Sequence, residues 1–156
     1  MLFDYPRELR TNQALVVGMH AFFAKLGIAS PIFIGASDGG IVAQIYTQKY
    51  PNEVGGLVLV FTGGMDFQQA KDVHITGLLA DLMNQTLVTE ADFRALKGRI
   101  LLIFPNQDFF SDPMQQDLIK LMQDPQIVYV SGGHLGTVLK AGDYVREIKK
   151  FLEGME

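Results

Sequence analysis

The sequence predicts an α/β fold: a parallel sheet of about four strands with helices on both faces. Two observations predict it. Four short apolar runs, at 32–35, 56–61, 99–104 and 126–130, are continuous rather than alternating, the pattern of strands buried on both faces. The stretches between them carry helical spacing, and strands that alternate with helices imply right-handed crossovers and a parallel sheet.

Each element follows in order. A first helix spans about 9–26, where Leu15, Met19, Phe22, Phe23 and Leu26 recur at helical spacing and Gly27 ends the pattern. The strand 32–35 comes next. A second helix starts near Asp38, with Ile41, Val42, Ile45 and Tyr46 as its apolar stripe, and Pro51 marks its end. "GLVLVF" at 56–61 reads as a strand buried on both faces. Residues 63–97 read as two or three short helices, a helical insert without a strand. "RILLIF" at 99–104 is the third strand, a helix covers about 113–122, and "QIVYV" at 126–130 is the fourth strand. A final helix is expected over 137–152, carrying Val138, Leu139, Tyr144, Val145, Ile148 and Phe151. No internal repeat or low-complexity segment interrupts the chain, and 1–156 reads as a single domain.

Composition narrows the function. Of 156 residues, 48% are hydrophobic and 19% charged, which is the balance of a chain with a real core. The net charge of -4, with no dense Lys/Arg cluster, argues against a nucleic-acid partner. With no cysteine, disulfides, a thiol nucleophile and thiolate metal sites are excluded. No metal or cofactor is expected. The opening "MLFDYPRELR" lacks the basic start and apolar stretch of a signal peptide, and no apolar run approaches the roughly 20 residues of a membrane span. A cytoplasmic chain with no membrane partner is expected.

In an open parallel sheet, ligands bind at the carboxyl edge of the strands. Three loops leave that edge. The first holds Gly35-Ala36-Ser37-Asp38-Gly39-Gly40, a G-x-S-x-G between a strand and a helix. Small neighbours let such a turn hold a serine hydroxyl outward. The helix N-terminus behind it favours developing negative charge, and the Asp38 backbone N–H is a candidate oxyanion donor. The second loop, "PNQDFFSD", offers Asp108, while Asp112 before Pro113 suits a helix cap. The third, "SGGHLG", carries His134. Neither of the other histidines sits on these loops: His20 falls inside the first helix and His74 inside the insert. Serine, aspartate and histidine, one per loop, form a constellation for acyl transfer. A hydroxyl needs a base to attack, His134 can take and return its proton, and Asp108 can hold the imidazole. Met65, Phe109, Phe110 and Leu135 flank the loops as candidates for an apolar substrate pocket. "GASDGG" fits neither G-x-G-x-x-G nor a P-loop, so a nucleotide-binding domain is disfavoured.

These segments resemble the C-terminal part of an α/β-hydrolase, and the resemblance covers nearly all of the chain. "FIGASDGGIVAQIYTQKYPNEVGGLVLV" resembles the family's nucleophile elbow, its following helix and the next strand. "LKGRILLIFPNQD" resembles the strand and loop that present the acid, and "GGHLGTVLKAGDYVREIKKFL" the histidine loop and last helix. The resemblance implies a partial α/β-hydrolase fold with a small helical cap insert at 63–97. It also implies a carboxylesterase-like serine hydrolase that cleaves an ester or similar acyl bond through Ser37, Asp108 and His134. The nucleophile is Ser37, which disfavours the branches that use an aspartate.

The family's sheet usually has eight strands with the elbow after the fifth. Here the elbow arrives by residue 37, so the resemblance implies that the first four strands, and the His-Gly type loop with the second oxyanion N–H, are missing. The strand at 32–36 then has a bare edge, expected to associate as a homodimer or with a second chain. The alternative to a serine hydrolase is a non-catalytic remnant or half-domain that needs a second chain or acts as a binding module.

Overall fold

A computed structural model of the chain describes residues 12–62, 90–108 and 112–155. In chain order these form α1 (Asn12–Leu26), β1 (Ile32–Ala36), α2 (Asp38–Lys49), β2 (Gly56–Val60) and α3 (Glu90–Phe93), the last running into a 3-10 turn at Arg94–Leu96. Then come β3 (Ile100–Pro105), α4 (Asp112–Leu121), β4 (Gln126–Val130), α5 (Gly136–Leu139) and α6 (Ala141–Glu153). The sheet is four-stranded in the order β1-β2-β3-β4, and every pairing is parallel. This is the α/β architecture expected from the four apolar runs. Residues 63–89 of the expected insert lie outside the described residues.

Two apolar clusters sandwich the sheet. One face carries Phe33, Leu57, Leu59, Ile100, Leu102 and Phe104, packed against Val16 of α1, Ile41, Ile45 and Tyr46 of α2, and Leu118 of α4. The other carries Val58, Val60, Leu101, Ile103 and Val130 against Tyr144 and Phe151 of α6. Every residue of β2 and β3 is buried, so these continuous runs have the two-sided burial their pattern predicts. Truncating Leu59 or Leu102 to alanine would cost ~2–5 kcal/mol.

Helices cover both faces of the sheet, as expected, but the outer strands are less deeply buried than the central pair. Ile32 and Ile34 of β1 pair with Gly56 and Val58, which puts Ile34 on the face α6 covers, yet Ile34 remains 55% exposed. Ile127 and Tyr129 of β4 pair with Leu102 and Phe104, on the opposite face, and Tyr129 is 57% exposed. Among the described residues the helices are staggered across the sheet, and each outer strand keeps exposed apolar side chains on one face.

Two boundaries also differ. Phe61, expected within the second strand, leaves it with φ 38°. The final helix is two helices, because Lys140 turns out of helical geometry at φ -132° and ψ 36°, a break that the apolar spacing through "VLKAGDYV" does not reveal. Among the described residues, no helix is long and apolar enough to cross a membrane.

Candidate active site

The change from β1 to α2 takes a single residue. β1 ends at Ala36 and α2 begins at Asp38, leaving Ser37 at φ 50° and ψ -120°, a conformation that costs a non-glycine residue ~1–3 kcal/mol. Three backbone bonds hold it there. The Ser37 N–H donates to the Val60 carbonyl at 3.0 Å, and the Ser37 carbonyl accepts from Gly40 N–H at 2.9 Å and Ile41 N–H at 3.4 Å. The Ser37 hydroxyl makes no capping bond to the helix it precedes, so Oγ points to another partner.

Glycine is required on either side of this turn, but not at every position of the motif. A Cβ on Gly35 would lie 2.5 Å from the Gly39 carbonyl oxygen, and one on Gly40 would lie 2.6 Å from the Thr62 side chain. A Cβ on Gly39 would meet nothing within 4 Å among the described residues. The second glycine of G-x-S-x-G is thus not what lets the helix pass. Gly40, one position later, is.

The other two loops are laced together. The Asn106 N–H donates to the Val130 carbonyl at 3.0 Å, and the Gln107 N–H donates to the Gly132 carbonyl at 2.9 Å. The Gly132 N–H returns to Asn106 Oδ1 at 3.1 Å. This lacing extends the β3–β4 ladder past the ends of the strands. It fixes the backbone just before Asp108 relative to that just before His134.

The structure brings Ser37, Asp108 and His134 together. His134 Nε2 lies 3.1 Å from Ser37 Oγ, and Nδ1 lies 3.0 Å and 3.1 Å from the two Asp108 carboxylate oxygens. The Asp108 side chain is 1% exposed and that of His134 21%. A buried carboxylate beside Nδ1 favours the tautomer with the proton on Nδ1, so that Nε2 can accept from the serine hydroxyl. The Phe61 ring packs against the imidazole, centroids 4.5 Å apart and planes at 63°. Beyond it Tyr144 stands at 6.4 Å and 88° to Phe61. Burial, and then the charges of Asp108 and Asp143, push the Tyr144 hydroxyl above its ordinary range.

The remaining candidates divide. Asp38 opens α2, so its backbone N–H belongs to the first turn of that helix, where amides lack intrahelical partners. Leu135 is exposed and lines a cavity of about 310 Å³ beside His134, with Gly132, Gly133, Gly136, Leu139 and Lys140. Met65, Phe109, Phe110 and His74 lie outside the described residues. His20 is elsewhere: it pairs with Glu53 at 3.2 Å and stacks on Tyr50, centroids 4.0 Å apart. Both partners follow the C-terminal end of α2, about 18 Å along that helix from Ser37. Sequence reasoning missed Asn106 and Phe61. An asparagine one residue past the strand that presents Asp108 was a usable signal for the first. Nothing local signalled the second.

No protein-family model and no curated protein matches this sequence. Solved structures do match. A predicted CIB-like hydrolase from Thermoplasma acidophilum is 18% identical with a TM-score of 0.69, over 92% of this chain and 60% of that one. A structure from a study of carboxylesterases of Nitrososphaera gargenis is 13% identical with a TM-score of 0.74, over 93% of this chain and 72% of that one. A meta-cleavage product hydrolase from Pseudomonas fluorescens is 13% identical with a TM-score of 0.71, over 98% of this chain and 74% of that one. The chain spans less than two thirds of the length of the first of these and about three quarters of the other two.

Proposed function

We propose, from the α/β-hydrolase fold that this chain has, that it is a serine hydrolase acting on an ester or similar acyl bond of a small molecule. The observation that carries the reading is the contiguous relay from Ser37 Oγ through His134 to the buried Asp108, set on a strained turn at a helix N-terminus. Ser37 acts as a nucleophile presented by an elbow. Its Oγ attacks the acyl carbon while Nε2 of His134 takes the hydroxyl proton, and Asp108 holds the imidazolium that forms. The tetrahedral oxyanion lies at the start of α2, where the Asp38 N–H donates to it. The intermediate collapses, the leaving group departs with the proton from His134, and water then hydrolyses the acyl-enzyme by the same route. Leu135 and Leu139, exposed beside His134, would offer apolar contact to the substrate.

A second reading rests on the sheet edge. β1 pairs with β2 alone among the described strands, and the chain is shorter than the structures it resembles. Under this reading the chain is a half-domain that works with a second copy or another chain lying along β1. A further oxyanion donor would then come from that partner; one such donor is typically worth ~2.7–4 kcal/mol in the transition state.

One experiment tests both. The purified protein is treated with a fluorophosphonate probe, beside Ser37→Ala, and the adduct is located by mass spectrometry. Labelling at Ser37, lost in the variant, is expected. A folded sample that does not label rules out this chain as a hydrolase by itself and leaves the half-domain reading.

A further inference from the structure

Phe61 has no role in the relay just described, yet its conformation is unusual. β2 ends at Val60, and the next residue turns into the left-handed region at φ 38°. A bulky aromatic residue rarely adopts that conformation, because it is strained. The ladder does not relax to avoid it. The Phe61 N–H still donates to the Ile103 carbonyl at 2.9 Å, and the preceding carbonyl, that of Val60, accepts the Ser37 N–H at 3.0 Å.

The strained turn directs a ring, not a loop. Phe61 is 6% exposed and sits in the cluster of Val60, Ile103, Val130 and Tyr144. It meets the His134 imidazole at 4.5 Å, and Tyr144 stands edge-on to it at 6.4 Å. An imidazole held only by bonds at Nδ1 and Nε2 can still rock about the axis joining them. A ring packed against it at a steep angle, centroids 4.5 Å apart, removes that freedom. The same residue is bonded next to Ser37 through the Val60 carbonyl, so one turn of backbone references both the serine and the histidine ring.

We propose that Phe61 is a positioning residue for His134, fixing the imidazole plane so that Nε2 meets Ser37 Oγ while Nδ1 stays on Asp108. This rests on the reading of His134 as general base. The backbone strain is retained because the relaxed conformation would aim the ring elsewhere. Misplacing a reacting group by about 1 Å can cost on the order of 100-fold in rate, which sets the scale of the effect.

The test uses p-nitrophenyl acetate hydrolysis and fluorophosphonate labelling by the whole chain, with thermal unfolding alongside. Phe61→Leu keeps an apolar side chain but loses the ring. It is expected to lower kcat and the labelling rate roughly 10- to 100-fold, with KM changed by less than about 2-fold. Should the leucine variant not fold, Phe61→Met fills the space with a flexible chain and carries the same expectation. Wild-type rates in either folded variant, or a loss confined to KM or to the melting temperature, would overturn the proposal and leave the reading of His134 intact. A wild-type protein that neither hydrolyses nor labels would overturn both.

Discussion

Asn106 and Gly132 join the two loops that carry Asp108 and His134: Asn106 Oδ1 accepts the Gly132 N–H at 3.1 Å across 26 residues of sequence. The Asp108–His134 bond is thus held from behind by a side chain bonded to the backbone of the histidine loop. Replacing Asn106 with alanine leaves the Gly132 amide to water and leaves only the two backbone bonds to hold the loops together. The expected result is a loss of ~0.5–1.5 kcal/mol in stability. The fluorophosphonate labelling rate should fall more than that loss would explain, because both loops move. Asn106→Asp, which keeps an acceptor, should recover most of the rate. Equal rates for alanine and wild type would show that the backbone lacing alone is sufficient.

The glycines of the turn give a sharper contrast. Gly35→Ala sets a methyl 2.5 Å from the Gly39 carbonyl, and backbone cannot yield there as a side-chain tip can. Gly39→Ala meets open space among the described residues, within a helix that alanine favours over glycine by ~1 kcal/mol. The first variant should unfold several degrees lower and lose labelling at Ser37. The second should melt at or above the wild-type temperature. Thermal melts and intact-mass labelling of the pair check this, and the reverse order would contradict the geometry of the turn.

How much of this was legible in the sequence follows from the range of each interaction. The glycine-flanked Ser37 announces itself within six residues, because the steric demand of the turn is local. Asp108 and His134 are legible because parallel topology sends three loops to one sheet edge, a consequence of strand order rather than of any pairwise signal. The Asn106–Gly132 bond and the Phe61 packing are not legible, since each depends on where two distant loops come to rest. Burial on both faces was right for β2 and β3, which have neighbours on each side. It is incomplete for β1 and β4, where Ile34 and Tyr129 stay exposed, because a run such as "QIVYV" looks the same at an edge as at the centre. The break at Lys140 escaped because apolar spacing continues across it while the backbone does not.

Thr62 suggests a stabilising change. It is buried, and its hydroxyl finds no hydrogen-bond partner among the described residues, while its side chain packs against Gly40. An unsatisfied buried hydroxyl costs ~1–3 kcal/mol, and valine has nearly the same shape. Thr62→Val should therefore stabilise the protein by about 1 kcal/mol, or roughly 2–4 °C in melting temperature for a chain of this size. Tyr144 offers a parallel case, since its hydroxyl is also buried without a partner among the described residues. Tyr144→Phe should be neutral or stabilising. A clear drop in either melt would mean that the hydroxyl has a partner in solution.

The bare edge of β1 leads to the last expectation. Its outer N–H and C=O groups face no strand among the described residues, and Ile32 and Ile34 are exposed beside them. An open, apolar edge of this kind pairs with another chain unless a charge blocks it. Sedimentation velocity should show association with a second copy that increases with concentration. Ile34→Lys places a cation on that face at an exposed position, where substitution costs ~0.5 kcal/mol or less. The variant should sediment as a monomer with an unchanged melting temperature. If labelling of Ser37 falls in step with the loss of association, the partner completes the site. If the monomer labels at the wild-type rate, the edge contact is separate from the chemistry. A wild-type protein that is monomeric at every concentration would rule out pairing with a second copy.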